Sequence, residues 1–538
     1  MRIVARFAAL LCSYGVLAQP PGTIQFQLLR IPAKLEHHPT ARKYLVETMA
    51  GGIAAFDYDG DGLIDLFFTN GAALPSLVKQ AGDENRLFHN DGNFQFRDVT
   101  RESGLAGEGY SIGAAAGDYD NDGRPDLFVA GVNGNHLYHN DGNGHFTDVT
   151  RTAGVSSLGW SVAAVWLDYD CDGLLDLFVV NYVDWSAENN PLCTETEKQI
   201  PVYCHPQKFR GLSNQLFHNL GHGRFEDVSN RSGIARYVGK GMSAAVADYD
   251  GDGYPDVFVT NDSQPNFLFH NLRNGTFEEV GMQAGVALSN SGRAVSAMGA
   301  DFRDYNNDGR ADLVFTALAG ETFPLFRNIG NGVFEDATYA SHVAPLTIRR
   351  SGWGISFADL DNDGWKDLIS ANSHVMDNID SFSGDRYELP NSVFRNAGNG
   401  TFEDVSATAG ADFQVARPHR GLIVADLDND GRLDAVVSVL GQEPEVWRNI
   451  TANGNHWIAV QLLGRTSNHD GIGARIRVEN QFNVQTNAMG YASSVLTPVR
   501  FGLGSMKEVP EVQIVWPSGK IQTLRHVSSD RVVKVVEP

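Results

Sequence analysis

A nine-residue element, repeated seven times, limits this chain to very few folds. It first appears as Asp57-Tyr-Asp-Gly-Asp-Gly-Leu-Ile-Asp65 and returns at residues 118–126, 168–176, 248–256, 304–312, 359–367 and 426–434. The starts lie 61, 50, 80, 56, 55 and 67 residues apart. Self-similarity at such a period is the signature of a repeat architecture. A second element follows the first six copies, as Leu87-Phe-His-Asn-Asp-Gly-Asn-Phe-Gln-Phe-Arg-Asp-Val-Thr100 and its relatives. Asn and Gly between two alternating apolar runs signal a hairpin. Each unit therefore supplies four short strands, in the second copy over 111–116, 127–130, 136–138 and 146–149. Four strands per unit is a propeller blade, and the expected fold is all-β: a seven-bladed propeller.

The seventh unit lacks its last strand. Val446-Trp-Arg-Asn449 matches a third strand, but no Gly-x-Phe-x-Asp follows. Gly22-Thr-Ile-Gln-Phe-Gln27 alternates correctly and is expected to close the ring as the missing strand, which removes exposed sheet edges.

The aspartate loops predict calcium. Oxygen ligands at alternate positions, a glycine at the sixth for the sharp turn, a carbonyl at the seventh and a final carboxylate form a Ca²⁺ loop. The final carboxylate stands at position nine and a strand follows, where an EF-hand has Glu at twelve and a helix. The predicted side-chain ligands are Asp57, Asp59, Asp61 and Asp65; Asp118, Asp120, Asp122 and Asp126; Asp168, Asp170, Asp172 and Asp176; Asp248, Asp250, Asp252 and Asp256; Asp304, Asn306, Asp308 and Asp312; Asp359, Asp361, Asp363 and Asp367; and Asp426, Asp428, Asp430 and Asp434. The carbonyls come from Leu63, Arg124, Leu174, Tyr254, Arg310, Trp365 and Arg432. Clustered like charges repel without a cation, and hard oxygen ligands favour Ca²⁺ over Zn²⁺ or Mg²⁺. Asn306 contributes oxygen without charge, which predicts a weaker fifth site. About seven ions are expected.

The chain has 538 residues and a formal net charge of −23, from 65 acidic and 42 basic residues. A nucleic-acid partner is excluded, because phosphate binding needs clustered Lys and Arg. Residues 1–18 read as a secretory leader: Arg2 and Arg6 precede an apolar stretch that ends at Val16-Leu-Ala18. No run is long and apolar enough for a transmembrane helix. The expected location is secreted or extracytoplasmic. There Cys193 and Cys204, in a polar insertion, form a candidate disulfide and leave Cys171 unpaired. Asn274, Asn399 and Asn449 head N-x-Thr sequences, glycosylation acceptors only in a eukaryotic secretory pathway.

The seven loops resemble FG-GAP/VCBS repeats, the blade type of integrin α-subunits. The C-terminal segment resembles an ASPIC/UnbV domain. It is marked by Asn455-His-Trp-Ile-Ala-Val, Ser467-Asn-His-Asp-Gly-Ile-Gly-Ala-Arg-Ile-Arg-Val478, Phe501-Gly-Leu-Gly504 and Val515-Trp-Pro-Ser-Gly519. Propeller followed by ASPIC/UnbV is the arrangement of the cartilage acidic protein family. The resemblance implies calcium binding, an extracytoplasmic location and adhesion or interaction roles, with no established chemistry. The expected division is a leader over 1–18, a propeller over 19–450 and a small β domain over 451–538. The runs WIAVQL, ARIRV, VQIVW and RVVKVV point to a sandwich or barrel packed against the propeller, with Asp470 and Arg475 in structural roles.

Enzymatic readings find little support. Gly109-Tyr-Ser-Ile-Gly113 matches a nucleophile elbow, which needs a helix after Ser111, but a strand is expected there and the Ser recurs as Ser161, Ser243 and Ser356. His89, His139, His218 and His270 share one repeat position with Arg327, Arg395 and Arg448. Arg cannot ligate a metal, so a hydrogen bond or ion pair is expected there. The leading expectation is a monomeric, non-enzymatic binding or adhesion module that takes a protein or glycan ligand at a propeller face. The insertion with Trp185, Cys193, Tyr203 and Cys204 is one candidate surface; the alternative is that it only packs on a blade. The competing class is carbohydrate chemistry, as a lectin or polysaccharide lyase.

Overall fold

The structure, a computed structural model, describes residues 23–157 and 159–538; the leader assigned to 1–18 lies outside them. Each aspartate loop joins the innermost strand of an antiparallel blade to the second strand, which begins on the ninth loop residue. In the second blade the strands are Tyr110–Gly117, Asp126–Val132, His136–Gly142 and His145–Asp148. The innermost strands are small and apolar, as in Ala114, Ala115 and Ala116, and they are buried. Small side chains let neighbouring blades converge on the axis, which favours continuous apolar runs over alternation.

Two contacts repeat between consecutive blades. The loop's second residue packs on the outer-strand Phe of the next blade: Tyr58 on Phe146, Tyr119 on Phe225, Tyr169 on Phe277, Tyr249 on Phe334 and Tyr305 on Phe402, with ring centroids 5.6–6.2 Å apart. The third-strand Asn then bonds back to that second residue's carbonyl. Asn140, Asn219, Asn271, Asn328, Asn396 and Asn449 donate Nδ2 to Tyr58, Tyr119, Tyr169, Tyr249, Tyr305 and Leu360. Asn90 donates to Leu427 of the seventh blade at 2.8 Å, which completes the circle. Each Asn also accepts, at Oδ1, the N–H two residues on, as Asn271 does from Arg273. One side chain thus fixes the hairpin turn and the blade interface.

Asn271→Ala removes donors from the Tyr169 and Pro255 carbonyls. At about 1–3 kcal/mol per buried group left unpaired, a loss of roughly 3 kcal/mol is expected in denaturant titration at fixed calcium. The isosteric Asn271→Asp should lose at least as much, because it sets a carboxylate against both carbonyls.

An N-terminal strand supplies the fourth strand of the seventh blade. Phe26–Arg30 pairs antiparallel with Glu445–Asn449, Phe26 opposite Asn449 and Arg30 opposite Glu445, in the sheet with His419–Ala425 and Asp434–Val439. The ladder lies further along the chain than 22–27, because Gln25 and Phe26 turn their N–H groups to Thr451 Oγ1 and the Ala409 carbonyl. Ile24, Phe26 and Ile31 are buried, and Phe26 stacks on Phe413.

The C-terminal residues form two facing sheets, one of His456–Leu463, Val499–Gly504 and Arg531–Val536, the other of Gln481–Val484, Arg475–Val478, Glu508–Val515 and Ile521–Ser528. Ile458, Val460, Ile476, Phe501, Val512 and Trp516 fill the space between them. Glu537 caps this sandwich: against the cost of its burial, hydrogen bonds from the Ser518 hydroxyl and from the N–H groups of Arg465, Ser467 and Thr466 hold its carboxyl down at about 2.

This cap does more than pack on the propeller. Its hairpin of Ala488–Met489 and Ser493–Leu496 enters the ring, and Ser493–Leu496 pairs parallel with Ile53–Phe56, the innermost strand of the first blade. Further bonds reach the second blade (Ala114 N–H to the Ala492 carbonyl) and the fourth (Ser243 Oγ to the Gly490 carbonyl); Tyr491 meets Trp353 of the sixth edge-on at 4.8 Å. The approach is so close that a Cβ on Gly52 would lie 2.3 Å from the Ala492 carbonyl oxygen. The channel axis is filled by the chain itself.

Candidate metal centres

All seven loops share one hydrogen-bond frame. The first aspartate accepts the sixth residue's N–H, the fifth accepts the seventh residue's, and the ninth accepts both the second residue's and the third-strand Asn's. In the second blade these are Gly123 to Asp118 at 2.7 Å, Arg124 to Asp122 at 2.9 Å, Tyr119 to Asp126 at 3.2 Å and Asn140 to Asp126 at 2.8 Å. The sixth residue is a glycine at φ 86–97° throughout, as with Gly309 at 86° and Gly253 at 97°, where any other residue is strained. The fourth position is also left-handed: Asn121, Asn307, Asn362 and Asn429 adopt φ near 57° and donate to the carbonyls of Gly173, Gly364, Gly431 and Gly62 in the following blades. Cys171 stands at this position in the third blade and is the one free cysteine among the described residues; burial pushes its thiol up to about 12.

The frame occupies both oxygens of the first and ninth aspartates and Oδ1 of the fifth, and leaves the third outside it. Asp120, Asp170 and Asp428, all third residues of their loops, bury an Oδ1 that has no hydrogen-bond partner among the described residues. An unpartnered buried carboxylate oxygen is costly unless a cation faces it. Burial, with neighbouring carboxylates adding to it, pushes Asp65 and Asp168 up to about 8; burial also lifts Asp126, Asp176 and Asp256 to about 7. The donor set (charged oxygens, amide oxygen at Asn306, a carbonyl from residue seven) fits a hard divalent cation.

The repeat-position histidines and arginines serve the loops as hydrogen-bond or ion-pair partners. His139, His218 and His270 place Nδ1 3.1–3.2 Å from the ninth aspartates Asp126, Asp176 and Asp256. Arg395 bonds Asp361 at 3.0 Å and Asp363 at 2.6 Å, Arg448 bonds Asp428 at 3.0 Å, and Arg327 turns away to Glu335.

The cap lies on the loop face and reads the first aspartates directly. Arg475 donates to Asp248 at 2.8 Å, Arg500 meets Asp426 at 2.5 Å, and Asp470 accepts the Asp118 N–H at 2.8 Å with His469 Nδ1 3.2 Å from the Asp118 carboxylate. Arg475 and Asp470 thus join two parts of the molecule, a role their sequence position near a turn did not reveal.

On the opposite mouth, Cys193 and Cys204 form a disulfide. The insertion's aromatic residues are not displayed. Trp185 and Tyr203 are buried, Trp185 against Trp160 at 5.7 Å and Tyr203 bonded to the buried Glu47. The insertion packs over the ring. Ser111 is likewise buried, inside a strand.

Family models match both parts of the chain. An FG-GAP-like repeat model matches residues 57–129, 118–179, 209–259, 248–315, 304–370 and 378–437, and the ASPIC and UnbV model matches 464–538. Cartilage acidic protein 1 of Homo sapiens is 27% identical over 322 residues, covering 58% of this chain and 46% of the relative; that of Xenopus tropicalis is 26% identical over 339 residues, covering 58% and 46%. The chain thus spans about half the length of the curated relatives it matches. Among solved structures, YCF48 from Cyanidioschyzon merolae superposes with a TM-score of 0.42 at 10% identity, over 79% of this chain and 99% of that one. No helix among the described residues is long and apolar enough to cross a membrane. With repeats matched over more than half of its length, the protein belongs to the FG-GAP-like repeat family and carries an ASPIC and UnbV segment at its C-terminal end.

Proposed function

We propose that this protein is an extracytoplasmic binding module whose propeller is stapled by one Ca²⁺ per blade, and that it acts by recognition rather than catalysis. The observation that carries the reading is the buried, partnerless Oδ1 of Asp120, Asp170 and Asp428, repeated at one loop position in three blades. The Cys193–Cys204 bond supports an oxidising compartment, where calcium is plentiful. Calcium would supply charge neutralisation at the loops, and the loops in turn hold the Tyr–Phe and Asn contacts between blades.

Extracellular-type sites bind at about 10⁻⁴–10⁻³ M, so millimolar Ca²⁺ contributes roughly 0.4–1.4 kcal/mol per site. Seven sites amount to about 3–10 kcal/mol, comparable with a whole domain's stability. Elemental analysis should find about seven calcium ions per chain, with a melting temperature that falls steeply on chelation. One or two ions, or an unchanged melt, overturns the reading.

A further inference from the structure

We propose that the cleft between the first blade's loop and the cap is the ligand site, and that it takes a uronate-bearing polysaccharide through the calcium ion of that loop. The inference rests on the calcium reading above and adds to it a place and a ligand class.

The first loop is the exception in the cap interface. The second, fourth and seventh loops meet Asp470, Arg475 and Arg500. Over the sixth, Asn455 donates to the Asp361 carbonyl at 2.9 Å. A Cβ on Gly173 of the third loop would meet the Thr466 carbonyl at 2.5 Å, and one on Gly309 of the fifth would meet Arg477 at 2.8 Å. A Cβ on Gly60 or Gly62 of the first loop would meet nothing within 4 Å, as on Gly251 and Gly253 of the fourth, but there Arg475 holds Asp248. Among the described residues no cap side chain bonds the first loop, and Asp59 and Asp61 are exposed. What lies there is a cleft of 730 Å³, against cavities of 240, 80 and 40 Å³ under the cap elsewhere. Its size is that of a ligand site.

A second observation points the same way. His89, nine-tenths buried, holds Nδ1 3.2 Å from Asp65 and 3.5 Å from Asp59 yet has no hydrogen-bond partner for it. Its counterparts in the next three blades are bonded to theirs. Arg500, in the cleft wall, also buries an Nη1 without a partner. An ion in this loop faces open space, so a ligand oxygen can complete its coordination.

The walls select the ligand. Lys534 and the partnerless Nη1 of Arg500 set positive charge in the cleft wall, matching an anion, while Arg124 is held by Asp122 and the Asn140 carbonyl. The amides of Asn143 and Gln461 can each donate and accept, matching sugar hydroxyls. A carboxylate on a hydroxyl-rich chain satisfies the ion, the cations and the amides together. An acidic peptide would satisfy only the first two.

The test uses the full chain in millimolar Ca²⁺ and titrates tetragalacturonate, neutral galactotetraose and tetraglutamate by calorimetry, with calcium content measured on the same sample. Tetragalacturonate should bind, chelation should abolish binding, and galactotetraose should fail. Lys534→Glu and Asp59→Asn should each weaken it at least tenfold, while Lys507→Glu, the same charge reversal at an exposed cap position outside the cleft, stays within twofold. A calcium-loaded chain that ignores tetragalacturonate, or equal binding by the Lys534 and Asp59 variants, overturns the inference and leaves the calcium reading standing. Preference for tetraglutamate replaces the glycan with an acidic peptide. A chain without calcium overturns both readings at the first step.

Discussion

Deleting residues 19–30 is expected to leave a chain that cannot fold as a soluble monomer. The deletion removes the strand Phe26–Arg30 and the buried side chains Ile24 and Phe26, and it detaches Ile31 from its support. Full burial of an apolar side chain is worth about 1.5–3 kcal/mol, so these three account for roughly 5–9 kcal/mol. That is a large part of the 5–15 kcal/mol typical of a folded protein. The deletion also leaves Glu445–Asn449 as a bare edge, a template for pairing with other chains. Size-exclusion chromatography and circular dichroism should show aggregates or an unfolded chain. A monomer melting like the parent would show that the ring is held without this strand.

Tyr491→Ala is expected to destabilise the protein by about 3–5 kcal/mol, the range for removing a large buried aromatic ring. The ring is fully buried against Trp353, and its hydroxyl donates to the Met49 carbonyl at 2.7 Å. The loss therefore combines a cavity on the axis with an unpaired carbonyl. Because the hairpin touches several blades at once, the variant should lower the stability of propeller and cap together. Thermal melts followed by Trp fluorescence and far-UV circular dichroism should fall in one coincident transition. Two separated transitions, or a loss below about 1 kcal/mol, would mean that the hairpin is a passive filling.

Where the pattern is local and repeated, the sequence was enough to read the blades. Six copies of Asp-x-Asp-x-Asp-Gly and one of Asp-x-Asn-x-Asp-Gly each mark one blade, and the number of blades follows from them. The missing strand of the seventh unit was also legible, because a propeller with one strand too few must find it elsewhere. Asn140 and its equivalents were visible only as turn residues, since the carbonyls they hold belong to other blades and lie 79–102 residues away in most cases. The hairpin at 487–496 left no trace: Asn-Ala-Met-Gly-Tyr-Ala-Ser-Ser-Val-Leu has neither period two nor a turn motif. Its small residues make sense only against the glycines and alanines that line the axis. The insertion misled for the opposite reason, because Trp185 and Tyr203 look like recognition residues until their burial is known. The uncovered first loop is invisible in a repeat whose seven copies look alike; only the placement of the cap sets it apart.

The closing strand also sets a clock. Gln25 and Thr451 bond across 426 residues of chain. At about 5–20 residues per second of synthesis, the first segment waits roughly 20–90 s before its partner exists. Throughout that time Ile24 and Phe26 are without their core, and each finished blade exposes the face meant for the next. A chain built this way depends on being kept apart from its own kind until its last residues arrive, so its yield in a cell is governed by whatever shields nascent chains as much as by the stability of the finished ring.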